Sequence, residues 1–344
     1  MIPRTAPCCQ STETQIPPSN HWQTALARAF RDPAELLDYL ELPRTLLEGA
    51  VAAGRSFSLR APRGYCQRIE KGNPDDPLLR QILPLEAELI TDEQFNLDPV
   101  GDLAAQEVPG LLHKYHGRVL IITTEVCSVH CRYCFRRHFP YRENRPEQNW
   151  QQAVDYIQRN PDIHEVILSG GDPLSLTESR LKNLTDKLIH IPHIKTFRLH
   201  TRQPIVLPER VNTELLSWLD SLPWKIVIVL HCNHANEIDN SVAAALAKLQ
   251  QVKVTLLNQS VLLAGVNDDS ETLVTLSHQL FKHHVLPYYL HLLDKVQGAS
   301  HFDVNHEIAS QLMTQMRAAL PGYLVPKLVQ EKAGMNSKTS INTD

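Results

Sequence analysis

Short runs of branched aliphatic residues recur from about Gly117 onward, and each is a candidate β-strand. The runs read RVLIITTEV, EVILSGG, TFRLHTR, KIVIVLHC, KVTLLNQSVL, LPYYLHLL and GYLVPKLV. Most are separated by longer stretches with apolar residues at helical spacing, such as ESRLKNLTDKLIHI and DNSVAAALAKLQQV. A strand followed by a crossover helix is the repeating unit of a parallel sheet covered by helices. The pattern therefore predicts an α/β barrel or an open α/β sheet, with fewer units than a complete eightfold barrel.

Polar residues stand at or near the ends of several of these runs. In barrels and in open α/β sheets, ligands bind at the carboxyl ends of the parallel strands. The first candidates for a functional site are therefore Ser169, Arg202, His231, Gln259 and Asp294.

The first hundred residues have apolar positions at helical spacing and not in short strand-like runs. Apolar residues at helical spacing in TALARAF, DPAELLDYLEL and RTLLEGAVAAG predict a helical region, and Asp32-Pro33 is a typical helix start. Residues 1–20 are rich in Pro, Ser, Thr and Gln, which predicts a mobile tail. We expect four segments: the tail 1–20, a helical region 21–105, an α/β region 106–330 and a C-terminal segment 331–344.

Composition narrows the class of protein. The 344 residues are 42% hydrophobic and 21% charged, which is enough to bury a core. The 34 basic and 38 acidic residues give a net charge of -4, which argues against nucleic acid or a membrane surface as partner. The sequence shows neither a signal-peptide core nor the ~20 apolar residues that cross a bilayer. The odd number of cysteines, 7, is typical of a reducing compartment, so we expect a cytoplasmic enzyme.

Three of the cysteines lie within eight residues, directly after the first strand. Cys127, Cys131 and Cys134 form a C-x3-C-x2-C motif in TTEVCSVHCRYCFRRHF. Thiolates at this spacing suit an iron-sulfur cluster or zinc. Three protein ligands would leave one iron of a four-iron cluster open to a substrate or cofactor. The alternatives are a structural zinc site completed by His130 or His138, or buried free thiols.

This loop, followed by the aromatic residue Phe135, resembles the signature of the radical S-adenosylmethionine superfamily. The resemblance implies that the three cysteines hold a [4Fe-4S] cluster whose open iron binds S-adenosylmethionine. One electron from the cluster would then break the sulfonium bond and produce a 5'-deoxyadenosyl radical. The implied fold is a partial (β/α)6 barrel, here preceded by the helical N-terminal region.

Further motifs resemble the lysine 2,3-aminomutase family over about residues 70 to 340. In order along the chain they read KGNPDDPLLRQ, PGLLHKYHGRVL, CRYCFRRHF, VILSGGDPL, TRQPIVLPER, HCNHANE, LNQSVLLAGVND and PYYLHLLD. Within the family, FRRHFPY and YYLHLLDKVQGA most resemble the members that make (R)-β-lysine for the modification of elongation factor P. The resemblance implies an isomerase that converts L-lysine to (R)-β-lysine.

The family resemblance assigns residues to S-adenosylmethionine and to the substrate. The turn Ser169, Gly170, Gly171 and Asp172 would bind the methionyl end, since paired glycines let a ligand approach the backbone. His231 and Gln259 would contact the adenosyl part. Arg136 would bind the α-carboxylate of lysine, because a guanidinium suits bidentate contact with a carboxylate. Asp294 and Glu331 would hold the ε-ammonium, and Glu331 departs from the aspartate of the free-lysine enzymes.

The resemblance also implies pyridoxal phosphate, tethered by a lysine. Counting without gaps from Val325 places that lysine at Lys338, although Lys332 and Lys327 lie close by in the sequence, and the glycine run that often precedes it is reduced to Gly334. The other residues implied around this cofactor are Lys114, which replaces an arginine, Tyr115, Arg118 and Arg202.

The family resemblance also implies partners for the enzyme. A reduced flavodoxin or ferredoxin is the expected electron donor, and elongation factor P with its ligase the expected destination of the product. The alternatives are a radical S-adenosylmethionine enzyme acting on another amino acid or on a DNA lesion, and a non-catalytic iron-sulfur or zinc protein.

Overall fold

A computed structural model describes residues 21–144 and 146–341 of the chain. The predicted tail 1–20, with Cys8 and Cys9, lies outside the described residues, as do residues 342–344.

The N-terminal region consists of short helices. They are α1 (His21–Ala27), α2 (Pro33–Tyr39), α3 (Leu47–Gly54), α4 (Arg63–Cys66) and α5 (Pro77–Arg80). The predicted start at Asp32-Pro33 is present: the Asp32 carboxylate accepts the Ala34 N–H at 2.9 Å, and Pro33 occupies the first helical position. Asp76 caps α5 in the same way. The starts of α2 and α5 are therefore fixed locally by their capping aspartates.

A ten-stranded sheet forms the rest of the molecule. Its strands are β1 (Gln106–Val108), β2 (Leu111–Tyr115), β3 (Arg118–Thr124), β4 (Glu165–Gly170), β5 (Thr196–Thr201), β6 (Lys225–Leu230), β7 (Val254–Val261), β8 (Leu286–His291), β9 (Lys327–Gln330) and β10 (Thr339–Ser340). The strands neighbour each other in chain order. Strands β3 to β9 are parallel, and antiparallel pairs flank them at both edges.

Helices connect the successive parallel strands. They are α6 (Tyr141–Asn144) and α7 (Pro146–Arg159), α8 (Glu178–Leu188), α9 (Gln203–Val206) and α10 (Thr213–Asp220), α11 (Asn240–Leu249), α12 (Ser270–Lys282) and α13 (His306–Ala319). Short 3-10 helices lie at Arg44–Leu46, Glu86–Leu89, Pro173–Ser175, Pro208–Arg210, Ala235–Glu237, Ser300–Phe302 and Gly322–Leu324. Strands laid down in chain order wind in one direction, which is the connectivity of a barrel and not of a doubly wound sheet. The predicted partial (β/α)6 barrel with N-terminal helices is confirmed.

Alternation along the strands divides the barrel into an apolar outer layer and a polar interior. In β5, Phe197 and Leu199 are fully buried in the main apolar core with helices α8 and α10, whereas Arg198 and His200 line the interior. The N-terminal helices have a second core, which also contains Val129 from the cysteine loop. No helix among the described residues is long and apolar enough to span a membrane.

Candidate active site

The barrel interior encloses a cavity of about 350 Å³, which is the size of a small-molecule site. Every site residue that the sequence predicted lines it: Lys114, Tyr115, Arg118, Cys127, Cys131, Cys134, Arg136, Ser169, Gly170, Gly171, Asp172, Arg202, His231, Gln259, Asp294, Glu331 and Lys338. These residues are spread over more than 200 positions of the sequence, and the barrel brings them together.

The cysteine loop follows β3 and forms one wall of the cavity. Cys127, Cys131 and Cys134 are free thiols, and the Cys134 N–H bonds to the Cys131 carbonyl at 3.0 Å in a tight turn. Burial raises the pKa of Cys127, and raises that of Cys134 to about 11, so metal binding would have to displace protons from these sulfurs. Among the described residues, no three His, Cys, Asp or Glu side chains converge on one metal-ion position. A four-iron cluster is held differently, since its cysteines bind separate irons.

The glycine pair at the end of β4 lies against the start of the cysteine loop. A Cβ on Gly171 would stand 2.6 Å from the Val126 carbonyl oxygen, and Gly170 has a φ of +117°. The Gly171 N–H bonds to the Thr124 carbonyl at 2.7 Å, and the Asp172 N–H bonds to that of Val126 at 2.9 Å. Only glycine permits this approach, so the turn positions the loop as well as exposing its own backbone to the cavity.

The Asp172 side chain joins two strand ends. Its carboxylate accepts hydrogen bonds from the Thr201 hydroxyl at 2.7 and 2.9 Å and from the Arg202 N–H at 2.7 Å. Burial raises the pKa of this carboxyl. Because its oxygens are engaged by the protein, the side chain holds β4 beside β5.

His231 and Gln259 lie side by side on neighbouring strands. The Gln259 side-chain amide donates to Nε2 of His231 at 3.1 Å. Burial, together with the positive charges of Arg202, Arg136 and Lys338, lowers the pKa of His231 to about 3. The imidazole is therefore neutral and can accept at Nε2 while its Nδ1 carries the proton.

A buried carboxylate, Asp102, connects two of the predicted cationic groups. Nε of Arg136 donates to Asp102 at 2.6 Å, and Nζ of Lys114 lies 2.7 Å from the other carboxylate oxygen. Nη1 of Arg136 also donates to the Ser169 hydroxyl at 3.0 Å. These contacts fix the guanidinium on the cavity wall, and the two cations lower the pKa of Asp102 against the opposing effect of burial.

Acidic groups surround Lys338, and Nζ of Lys114 lies 3.7 Å from one of them, Glu331. Nζ of Lys338 donates to Glu331 at 2.5 Å, and the other Glu331 oxygen accepts from the Tyr115 hydroxyl at 2.5 Å. Lys338 lies between β9 and β10, whereas the neighbouring lysines, Lys332 and Lys327, are exposed. Asp294 is buried nearby, and burial raises its pKa to about 7.

The two remaining predicted cations lie in different surroundings. The guanidinium carbon of Arg118 lies 4.8 Å from the centre of the Tyr115 ring. Among the described residues, Arg118 has no carboxylate ion-pair partner. Arg202 donates to Sγ of Cys131 at 2.8 Å and pairs with Glu237 at 2.8 Å. Arg118 is thus open to a phosphate, while Arg202 is engaged at the cysteine loop. The predicted phosphate contact of Arg202 stays a prediction.

The sequence did not indicate several residues of this cavity. They are Asp102, Arg198, His200, Asn233, Tyr288, Tyr289 and His291. The ring centroids of Tyr288 and Tyr289 lie 3.8 Å apart in a tilted arrangement, and their hydroxyl oxygens lie 2.9 Å apart. The alternation of Arg198 and His200 with buried apolar residues in β5 was an available signal, because a charged residue inside a buried strand needs a polar interior.

Comparisons with known proteins give these features a family. The Radical SAM superfamily model matches residues 121–217. L-lysine 2,3-aminomutase from Escherichia coli (strain K12) is 48% identical over 331 residues, covering 95% of this chain and 96% of that protein. The protein of the same name from Haemophilus influenzae is 48% identical over 328 residues, covering 95% and 97%. L-lysine 2,3-aminomutase from Clostridium subterminale is 33% identical, covering 94% of this chain and 78% of that protein.

The family model spans the cysteine loop and the glycine turn, and the likenesses to these relatives cover 94–95% of the chain. The chain belongs to the lysine 2,3-aminomutase family of the radical S-adenosylmethionine superfamily.

Proposed function

We propose that this protein moves the 2-amino group of L-lysine to C3 and so produces β-lysine, as a radical S-adenosylmethionine isomerase. The supporting observation is the arrangement of one cavity. It has cysteines on one wall, a primary amine at Lys338, and charged groups of opposite sign that match the two ends of lysine.

The residues fit the cofactors of this proposal. Cys127, Cys131 and Cys134 are free thiols beside the Gly170-Gly171 turn, as a cluster with S-adenosylmethionine needs. Lys338 offers an amine for pyridoxal phosphate, and Arg118 offers a cation without an acidic partner in the described part of the chain. When bound, the cluster and S-adenosylmethionine supply a carbon radical, and pyridoxal phosphate supplies a conjugated group on the migrating nitrogen.

The chain's own side chains would bind and orient the substrate. Arg136 is held by Asp102 and Ser169, so its guanidinium is presented to a carboxylate in one orientation. Asp294 and Glu331 would receive the ε-ammonium, and the hydrogen bond from Lys338 to Glu331 would have to break for Glu331 to take this role. Because both ends of lysine are bound, C3 takes one position relative to the cysteine wall, and an analogue of different length does not.

The cavity would also exclude water. Apolar side chains line it between the charged groups, among them Leu120, Ile167 and Val261. A carbon radical is consumed by side reactions in a water-filled site, so an apolar lining would protect it. His231, which is neutral and whose Nε2 accepts from Gln259, would provide an Nδ1–H donor without adding charge near the cluster.

The finer parts of the proposal concern product, partners and location. We infer that the product is the (R)-enantiomer, that it is used to modify elongation factor P through a separate ligase, and that reduced flavodoxin or ferredoxin supplies the electron. A cytoplasmic location accords with the five described cysteines, which are all free. The support for these parts is the resemblance of FRRHFPY and YYLHLLDKVQGA to the family members that serve elongation factor P.

The test is an anaerobic assay of the reconstituted protein with reductant, S-adenosylmethionine, pyridoxal phosphate and L-lysine. We expect β-lysine of one configuration, and an absorbance band of protein-bound pyridoxal phosphate. Lys338→Ala should lose both, whereas the matched change at the exposed Lys332, Lys332→Ala, should keep both. No β-lysine from free lysine or from lysyl-elongation factor P would refute the substrate, and stoichiometric zinc in place of iron would refute the enzyme class.

A further inference from the structure

Arg202 follows β5 and lies beside the cysteine loop in a buried position. Only 5% of the residue is exposed, although it carries a full positive charge. Nη1 donates a hydrogen bond of 2.8 Å to Sγ of Cys131, the middle cysteine of the motif. A full positive charge therefore touches one sulfur of the predicted cluster.

The guanidinium is held in this orientation from its other side. Nη2 donates to Oε1 of Gln81 at 2.6 Å and to Glu237 at 2.8 Å, and it lies 3.5 Å from the Tyr65 hydroxyl. The aromatic rings of Tyr65 and Tyr133 each lie 5.7 Å from the guanidinium carbon. With these contacts in place, Arg202 cannot turn away from the sulfur without leaving buried partners unpaired.

Glu237 is the acidic counterpart of Arg202 and is itself fully buried. Its Oε1 accepts the N–H groups of Asn233 at 2.8 Å and His234 at 3.1 Å. The Asn233 amide donates to the Tyr133 hydroxyl at 2.7 Å, and Tyr133 lies within the cysteine motif. Arg202 and Glu237 thus form one network with the loop, with the positive member at the sulfur and the negative member one contact further away.

We propose that Arg202 and Glu237 together set the reduction potential of the cluster, and that Arg202 is a positioning residue of the cluster site. The inference rests on the [4Fe-4S] cluster of the proposed function. The step concerned is the addition of one electron from an external low-potential donor to the oxidised cluster, with no bond made or broken. Charge and hydrogen bonds at the sulfurs are main determinants of such potentials. A cation at Cys131 favours the reduced, more negative cluster, and Glu237 reduces that effect.

Substitutions of Arg202 and of Glu237 should therefore shift the reduction potential of the cluster in opposite directions. Arg202→Gln removes the cation and should make the potential more negative. Glu237→Gln keeps the shape of the side chain but removes the anion, and should make the potential more positive. In each case we expect the ratio of reduced to oxidised cluster at a fixed applied potential to change at least tenfold. For a one-electron couple this corresponds to a shift of about 59 mV in the reduction potential.

The experiment is a redox titration of the anaerobically reconstituted full chain, followed by the electron paramagnetic resonance signal of the reduced cluster at constant pH. Dithionite serves as reductant, and iron is measured for every variant. Lys182→Gln is the matched control. It removes one positive charge from an exposed pair with Asp186 on α8, and should leave the potential unchanged.

Shifts in the same direction for both variants, or an unchanged potential in either variant with full iron content, would overturn the inference. If Arg202→Gln fails to retain iron, Glu237→Gln decides alone, since it keeps Arg202 at the sulfur. The titration uses no lysine, so failure of the lysine assignment leaves the potentials interpretable, and unchanged potentials leave the lysine assignment standing.

Discussion

Asp294 is a carboxyl group whose ionisation falls within the working pH range. Burial raises its pKa to about 7 against the opposing effect of Lys338, and neighbouring Glu331 acts in the same direction as burial. Below pH 7 the group is protonated and neutral, and above it the group is ionised. Only the ionised form attracts an ammonium group, so we expect kcat/KM for L-lysine to rise about tenfold per pH unit below pH 7 and to level off above it.

This pH dependence is checked by measuring kcat/KM between pH 5.5 and 8 with the cluster intact throughout. Asp294→Asn should have a lower kcat/KM that no longer follows this rise, because the amide does not titrate. A rise of the same steepness and midpoint in Asp294→Asn would assign the pH dependence to another group.

At the scale of single residues, the sequence identified groups with strong chemical signals. Three cysteines within eight residues must share a loop, and the gapless count to Lys338 led to a lysine that lines the cavity. Asp102 carried no such signal. It is a single aspartate in an irregular segment, and its partners Lys114 and Arg136 lie 12 and 34 residues away in sequence. Only the folded chain shows that one carboxylate joins the two predicted cationic sites.

At the scale of elements, long aliphatic runs predicted the central strands closely, because parallel strands buried on both faces leave a continuous apolar pattern. KIVIVLHC became β6, and EVILSGG became β4 with its glycine turn. The antiparallel edge pair β1 and β2 was not predicted, since its short strands mix polar and apolar residues. GYLVPKLV yields a strand only over Lys327–Gln330, because Pro326 lacks the N–H that a sheet ladder requires.

The close contact between the glycine turn and the cysteine loop predicts that the turn does not tolerate a larger residue. In Gly171→Ala the new methyl group meets the Val126 carbonyl at 2.6 Å and the Glu125 carbonyl carbon at 2.8 Å, both of which are backbone atoms. Relief requires the loop before Cys127 to move. We expect a loss of about 1–3 kcal/mol in the free energy of unfolding, typical of overpacking, together with a lower iron content after reconstitution.

The measurements are denaturant unfolding and iron analysis under anaerobic conditions. Gly54→Ala is the control, because Gly54 ends α3 and nothing lies within 4 Å of its missing Cβ. It should keep full iron and be neutral or slightly more stable, as alanine is the better helix residue. Full iron and unchanged stability in Gly171→Ala would show that the loop tolerates displacement.

At the scale of the whole molecule, the cysteine loop lies between the N-terminal helices and the barrel. Arg132 of the loop is fully buried and donates from Nε and Nη2 to Glu88 at 2.8 and 2.6 Å. Arg137 donates to the same carboxylate at 2.7 Å and to the Gly298 carbonyl beyond β8 at 3.0 Å. The sequence predicted a helical N-terminal region but not this function for it, because nothing in a helical pattern shows which surface it will cover.

Glu88 therefore connects three parts of the chain, and its removal tests whether they form one cooperative unit. Glu88→Ala leaves two buried guanidinium groups without their carboxylate, which typically costs about 3–5 kcal/mol. We expect a loss of this size in the free energy of unfolding and a fall in iron content, because the loop carrying Cys131 and Cys134 loses its support.

Arg44→Ala, which breaks an exposed ion pair with Asp38, is the control and should cost at most about 1 kcal/mol and keep full iron. If Glu88→Ala lost stability in a separate early transition while retaining iron, the N-terminal helices would unfold independently of the cluster loop, and the cluster would depend on the barrel alone.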